Sequence, residues 1–160
     1  MTYDVPAVIS PQEVQGQMTR LLDEFVKDTT GATHALLASR EGLKQAVVSH
    51  MDPDWADEVA AAFSGLTSLA RGVAGPKNQK RPADQVLIER EDTLFMAIEA
   101  GEGSAFQSDG KTVATILVVL AEMDANIGHV AFAAARLVQR FAPFMTTPVR
   151  VRDGQDAGVE

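Results

Sequence analysis

The sequence predicts an α/β (α+β) fold: a five-stranded, mostly antiparallel sheet flanked by three helices in the order α-β-β-α-β-β-β-α. Three observations carry that prediction. Helix starts of the form cap-then-proline stand at Ser10-Pro11 and Asp52-Pro53, and each opens a run with apolar residues at helical spacing. Short runs rich in Val, Ile and Leu, separated by turn residues, come as a pair before the second helix and as a set of three after it. Adjacent apolar residues in the first pair, Leu36-Leu37 and Val47-Val48, point to opposite faces of their strands, so both faces need cover.

The first helix starts at Ser10, a serine cap followed by Pro11 and, three residues after the cap, Glu13. Val14, Met18, Leu21, Leu22 and Phe25 then form one apolar face, Gln15, Thr19, Asp23 and Lys27 point elsewhere, and Gly31 supplies the stop. Residues 34–39 and 43–49 read as a β-hairpin, because Gly42 in Arg40-Glu41-Gly42 can take the positive φ of a tight turn. From Asp52-Pro53 the second helix runs to about Val73 and ends before Gly75-Pro76. Trp55, Val59, Phe63, Leu66, Ala70 and Val73 form its bulky stripe, expected on the sheet at about 1.5–3 kcal/mol for each large side chain buried.

The other side of this helix carries Ala61, Gly65, Ser68 and Gly72, and residues 59–70 include no charge. Each interior glycine costs about 1 kcal/mol of helix stability relative to alanine, which a close approach would explain. Few elements remain to cover a second face, so another copy of the chain is the simpler occupant. Residues 86–91 and 93–100 form a second hairpin through Asp92, the first of them an edge strand open to pairing with that copy. A polar loop, 101–111, leads to a long strand, 112–121. Asp124-Ala125-Asn126 caps a third helix along which Ile127, Ala131, Ala134, Val138 and Phe141 keep the apolar period, with Arg136 and Arg140 toward its C-terminal end. Pro143 and Pro148 are expected to close the ordered chain, leaving a single domain at 10–145 between mobile ends at 1–9 and 146–160.

Composition bounds the function. A chain of 160 residues, 46% hydrophobic and 22% charged, has the balance of one soluble globular domain. Its formal charge of -8 repels phosphate backbones and anionic membranes, so nucleic acid is not an expected partner. Without cysteine there is no disulfide, thiolate zinc site or cysteine nucleophile, and the cytoplasm is the expected compartment. The start lacks a secretory pattern, and the longest apolar stretch, around 116–121, is far too short to enter a membrane as a span.

Chemistry-bearing patterns are sparse. Gly101-Glu102-Gly103-Ser104 lacks the continuation of a dinucleotide fingerprint, and no Gly-Lys-Ser/Thr loop is present. His34, His50 and His129 show no pair at metal spacing, and each reads as structural. A cluster of His50 with Asp52 and Asp54 competes with the better role of Asp52 as a cap. Glu89 with Glu91 and Asp23 with Glu24 suit solvated faces, and no serine lies in a nucleophile elbow or Ser-x-x-Lys. Trp55 reads as core. Basic residues at Lys77, Lys80, Arg81, Arg136, Arg140, Arg150 and Arg152 lack the aromatic interleaving of a nucleic-acid surface. These patterns indicate no enzyme, metal or cofactor.

Three segments carry a family resemblance: Leu21-Leu22-Asp23-Glu24-Phe25-Val26, Gly31-Ala32-Thr33-His34-Ala35-Leu36 and especially Phe63-Ser64-Gly65-Leu66-Thr67-Ser68-Leu69-Ala70. With Ile127-Gly128 opening the last helix, they resemble the roadblock/dynein light chain family in its actinobacterial form, over about 21–144. Such members are encoded in conservon operons beside a sensor-kinase-like protein and a small Ras-like GTPase. The resemblance implies a roadblock fold, a homodimer through the second helix and neighbouring edge strand, and a non-enzymatic platform that binds and regulates a small GTPase. Ala61, Gly65, Ser68, Gly72, Val86 and Ile88 are the residues this places at the dimer interface. One departure is the loop 101–111, longer than the usual link between the fourth and fifth strands. The alternative from another class is a small-ligand sensor domain.

Overall fold

A computed structural model of the chain describes residues 10–103 and 113–145. The expected mobile ends, Pro148 and most of the 101–111 loop lie outside the described residues. The elements are α1 (Pro11–Asp28), β1 (Ala32–Ser39), β2 (Lys44–Val47), α2 (Pro53–Gly72), β3 (Gln85–Glu89), β4 (Leu94–Gly103), β5 (Val113–Ala121) and α3 (Ile127–Met145). The strands lie in the order β2-β1-β5-β4-β3, and every neighbouring pair is antiparallel. Helix α2 makes the crossover from β2 at one edge of the sheet to β3 at the other.

Local signals account for the element starts. At α1 the Ser10 hydroxyl accepts from the Glu13 N–H at 3.2 Å while the Glu13 carboxylate accepts from the Ser10 N–H at 3.0 Å, closing a reciprocal cap. After α1 the chain reverses at Gly31, whose φ is +94°, and a Cβ there would lie 2.6 Å from the Cβ of Ala125. Backbone conformation and space therefore both demand glycine. Gly42 takes φ +99° in the β1–β2 turn, where its N–H donates to the Ser39 carbonyl at 3.0 Å. In the β3–β4 turn Arg90 donates to both Asp92 oxygens, at 2.9 and 2.6 Å, and this hydrogen bonding holds the Asp92 carboxyl below its ordinary value.

Both faces of the sheet are covered. Helices α1 and α3 contact each other and lie on one face, while α2 lies on the other against β1, β2, β5 and β3. Ala35, Leu36, Leu37 and Ala38 of β1 are all fully buried, as adjacent apolar residues on opposite faces require. From α1, Met18 and Leu22 are fully buried, with Val14 and Phe25 nearly so.

The C-terminal helix departs from the expected pattern in two ways. Val130, Ala134, Leu137 and Phe141 form its most buried row, whereas Ile127, Ala131 and Val138 are only half-buried. Helix α3 packs on β4 and β5 and also against its neighbour α1, so its apolar face is wide and its centre is set by both contacts. Pro143 does not close the helix, because α3 continues to Met145. Asn126 is the cap, its side-chain oxygen accepting from the His129 N–H at 3.0 Å. Strand β4 also runs past its expected end at Ala100 to Gly103, with a register shift between Glu99 and Glu102.

Candidate interaction surface on helix α2 and strand β3

Helix α2 begins where the Asp52 carboxylate accepts the Trp55 N–H at 3.0 Å, with Pro53 at the first helical position. Its inner side buries Ala56, Val59, Ala60, Phe63, Ser64 and Thr67. Phe63 stacks on Phe95 of β4 with ring centroids 5.0 Å apart. Two buried hydroxyls are satisfied without solvent: Ser64 donates to the Ser39 carbonyl at 2.8 Å, and Thr67 donates to the Ser64 carbonyl at 3.0 Å.

Near the other end of α2 an ion cluster fixes the helix to the sheet. Glu99 of β4 accepts from Arg71 of α2 at 2.6 Å and from Arg40, just after β1, at 3.3 Å. Side-chain exposure of 27% for Glu99 and 32% for each arginine means that water screens these pairs. Glu99→Gln is therefore expected to lower stability by about 1 kcal/mol or less, read as a small fall in the urea midpoint with an unchanged slope.

The outer side of α2 exposes Ala61, Ala62, Gly65, Ser68, Leu69 and Gly72, with no charged residue between positions 59 and 70. A Cβ added at Gly65 or Gly72 would meet nothing within 4 Å, so the chain's own packing does not demand glycine there. Leu69 is 69% exposed, and Val73, expected in the bulky stripe, is 68% exposed. The reason for the second is local: Val73 is the C-cap, with φ -96° and ψ 132°, and the backbone has already left the helix. Of that stripe Val59 and Phe63 are buried, while Trp55, Leu66 and Ala70 are half-buried.

The expected interface residues come together on one side of the molecule. Ala61, Gly65, Ser68 and Gly72 line the open face of α2. Val86 and Ile88 are half-buried on β3, the terminal strand, and pair with Ala97 and Phe95 of β4. Since Phe95 meets Phe63 of α2, these two residues are on the sheet face that α2 covers. Leu69 and Val73 are exposed apolar residues of this region that are not among the expected interface residues. At about 100° per residue Leu69 is only about 40° from Gly65 around the helix, which is the signal that places it on this face.

Other candidate chemistry does not assemble into a site. No group of three His, Asp or Glu side chains among the described residues is placed to hold a metal ion, and His50 does not form one with Asp52 and Asp54. Lys77, Lys80 and Arg81 lie on an exposed loop. Arg136 sits over the Phe132 ring at 5.8 Å, and Arg140 pairs with Glu24 at 3.4 Å. A small hollow between the sheet and the start of α3 is lined only by apolar residues, among them Leu87, Leu94, Met96, Ile127 and Val130. No helix of the described residues is long and apolar enough to cross a membrane.

Similarities to known proteins agree with this geometry. The Roadblock/LC7 domain model matches residues 18–107. A Roadblock/LC7 domain from Streptomyces avermitilis is 32% identical, with a TM-score of 0.68 over 81% of this chain and 98% of that one. Gliding protein MglB from Thermus thermophilus is 20% identical, with a TM-score of 0.65 over 91% and 98%, and an MglB described with a tetrameric arrangement is 19% identical, with a TM-score of 0.66 over 91% and 97%. At those two identities the likeness is one of fold. No curated protein sequence matches the chain. With the domain match spanning more than half of the chain, and a Streptomyces relative superposing on the same helix and strand order, the chain belongs to the Roadblock/LC7 family.

Proposed function

We propose that the protein is a homodimeric, non-enzymatic regulator or scaffold that binds a small Ras-like GTPase in a cytoplasmic signalling system of the conservon type. A sensor-kinase-like protein is a further partner in this reading. The observation that carries the self-association is the outer face of α2, chargeless from 59 to 70, with two glycines that its own fold does not require, beside the edge of β3 that no other described strand pairs. Family membership and the fold shared with MglB structures, one of them tetrameric, support the regulatory role. A small-ligand sensor would need polar groups converging on a pocket, and the apolar hollow beside α3 offers none to orient a ligand.

The test has two parts. Light scattering of the purified chain is expected to give twice the monomer mass, and a monomer at all concentrations would refute the dimer. Capture from native extract in the presence of GTP and of GDP is expected to recover a small GTPase with a preference for one nucleotide; equal failure in both would refute the partner while leaving the dimer standing.

A further inference from the structure

We propose that His34, His50 and Trp55 form an acid-sensitive latch, which holds the first turn of α2 against β1 while the His34 imidazole is neutral and loosens as His34 takes up a proton. The residues come from three places in the chain: the start of β1, the segment between β2 and α2, and the first turn of α2. The His34 ring centroid is 4.8 Å from that of His50, with the planes tilted by 34°, and 4.9 Å from that of Trp55, edge-on at 80°.

Thr33 sets both tautomers. Its hydroxyl donates to the Leu120 carbonyl at 3.2 Å, so its oxygen is left to accept from His34 Nδ1 at 2.9 Å, and the His34 lone pair is on Nε2. Its carbonyl accepts from His50 Nε2 at 3.0 Å, which puts the His50 lone pair on Nδ1. Each neutral ring thus has its single N–H satisfied by one residue of β1. A second proton on His34 places positive charge against the His50 and Trp55 rings, with no carboxylate paired to it among the described residues.

The surrounding carboxylates are engaged or solvated. On α1, Asp23 accepts from the Ser49 N–H at 2.8 Å and the Ser49 hydroxyl at 2.6 Å. At the start of α2, Asp52 accepts from the Trp55 N–H, while Asp54 and Glu58 are exposed, as is Glu122 after β5. No ion pair joins any of them to either imidazole among the described residues. Burial first, and the neighbouring His50 second, hold His34 below its ordinary value of 6.5. An unfolded chain therefore takes up this proton before the folded one. The stabilisation from neutral His34 is complete above the unfolded value and is lost as pH falls through the folded one.

Trp55 is the sole tryptophan, so its emission reports this contact. Titration of the full chain from about pH 8 to about pH 5 is expected to give a sigmoidal change in emission, with amide exchange in the first turn of α2 accelerating beyond its intrinsic pH dependence. His34→Phe keeps a ring against the indole and is expected to abolish the transition. His50→Gln retains an N–H for the Thr33 carbonyl but removes the neighbouring charge, and is expected to move the midpoint to higher pH. Flat wild-type emission, an unchanged transition in His34→Phe, or an unmoved midpoint in His50→Gln would each overturn the latch. Because His50 is exposed, the last variant tests the idea even where His34→Phe fails to fold.

Discussion

Gly31→Ala is expected to destabilise the fold by about 2–5 kcal/mol, the sum of a left-handed backbone cost and the strain of overpacking. At φ +94° an L side chain is strained whatever the space, and the added Cβ would stand 2.6 Å from the Cβ of Ala125. Neither side can move cheaply. The Gly31 carbonyl accepts the Glu122 N–H at 2.8 Å, and the Ala125 N–H donates to the Glu122 carbonyl at 2.9 Å, so the α1–β1 junction and the β5–α3 turn are tied together. A double-mutant cycle separates the two costs: Ala125→Gly in the Gly31→Ala background should recover most of the steric part, a 3.3 Å approach to the residue 125 Cα remaining, and leave chiefly the backbone cost of about 1–2 kcal/mol. Urea denaturation reads both. Unchanged stability in Gly31→Ala would mean that this junction is looser than its geometry indicates.

Leu69→Asp is expected to dissociate the proposed dimer without disturbing the fold. Its side chain is mostly solvent-exposed in the single chain, so the monomer loses little. In a two-fold interface each residue acts twice, and burial of leucine contributes about 1.5–3 kcal/mol per copy, so the dimer should weaken roughly a thousand-fold. Gly65→Leu is the complementary variant. Open space around Gly65 lets the monomer accept leucine, with a gain of up to about 1 kcal/mol in helix propensity, while the larger side chain blocks close approach of a second helix. Sedimentation or light scattering reads the association, and thermal unfolding reads the fold. A dimer unaffected by both substitutions would place the interface elsewhere.

The helix starts were legible because each is written within a few residues: Ser10-Pro11 with Glu13, and Asp52-Pro53, make the caps that the structure contains. Apolar periodicity likewise located the buried side of α1, but on α2 only Val59 and Phe63 of the expected stripe are buried, beside the small or polar Ala56, Ala60, Ser64 and Thr67 that an apolar count passes over. Periodicity does less well where a helix has two neighbours, as at α3, where contact with both α1 and the sheet moves the burial centre onto Val130 and Leu137. It also cannot tell when the backbone has stopped being helical, which is why Val73, at helical spacing from the buried stripe, stands exposed at the C-cap.

The sequence by itself determined the order of elements, their caps and the chargeless stripe on α2, because local hydrogen bonding and side-chain spacing decide these. Tertiary structure alone decided that β5 lies between β1 and β4, that Glu99 meets Arg40 and Arg71, and that His34 meets His50 and Trp55. Those contacts join residues far apart in the chain, and they form only where burying both faces of one sheet outweighs the entropy of closing the intervening loops.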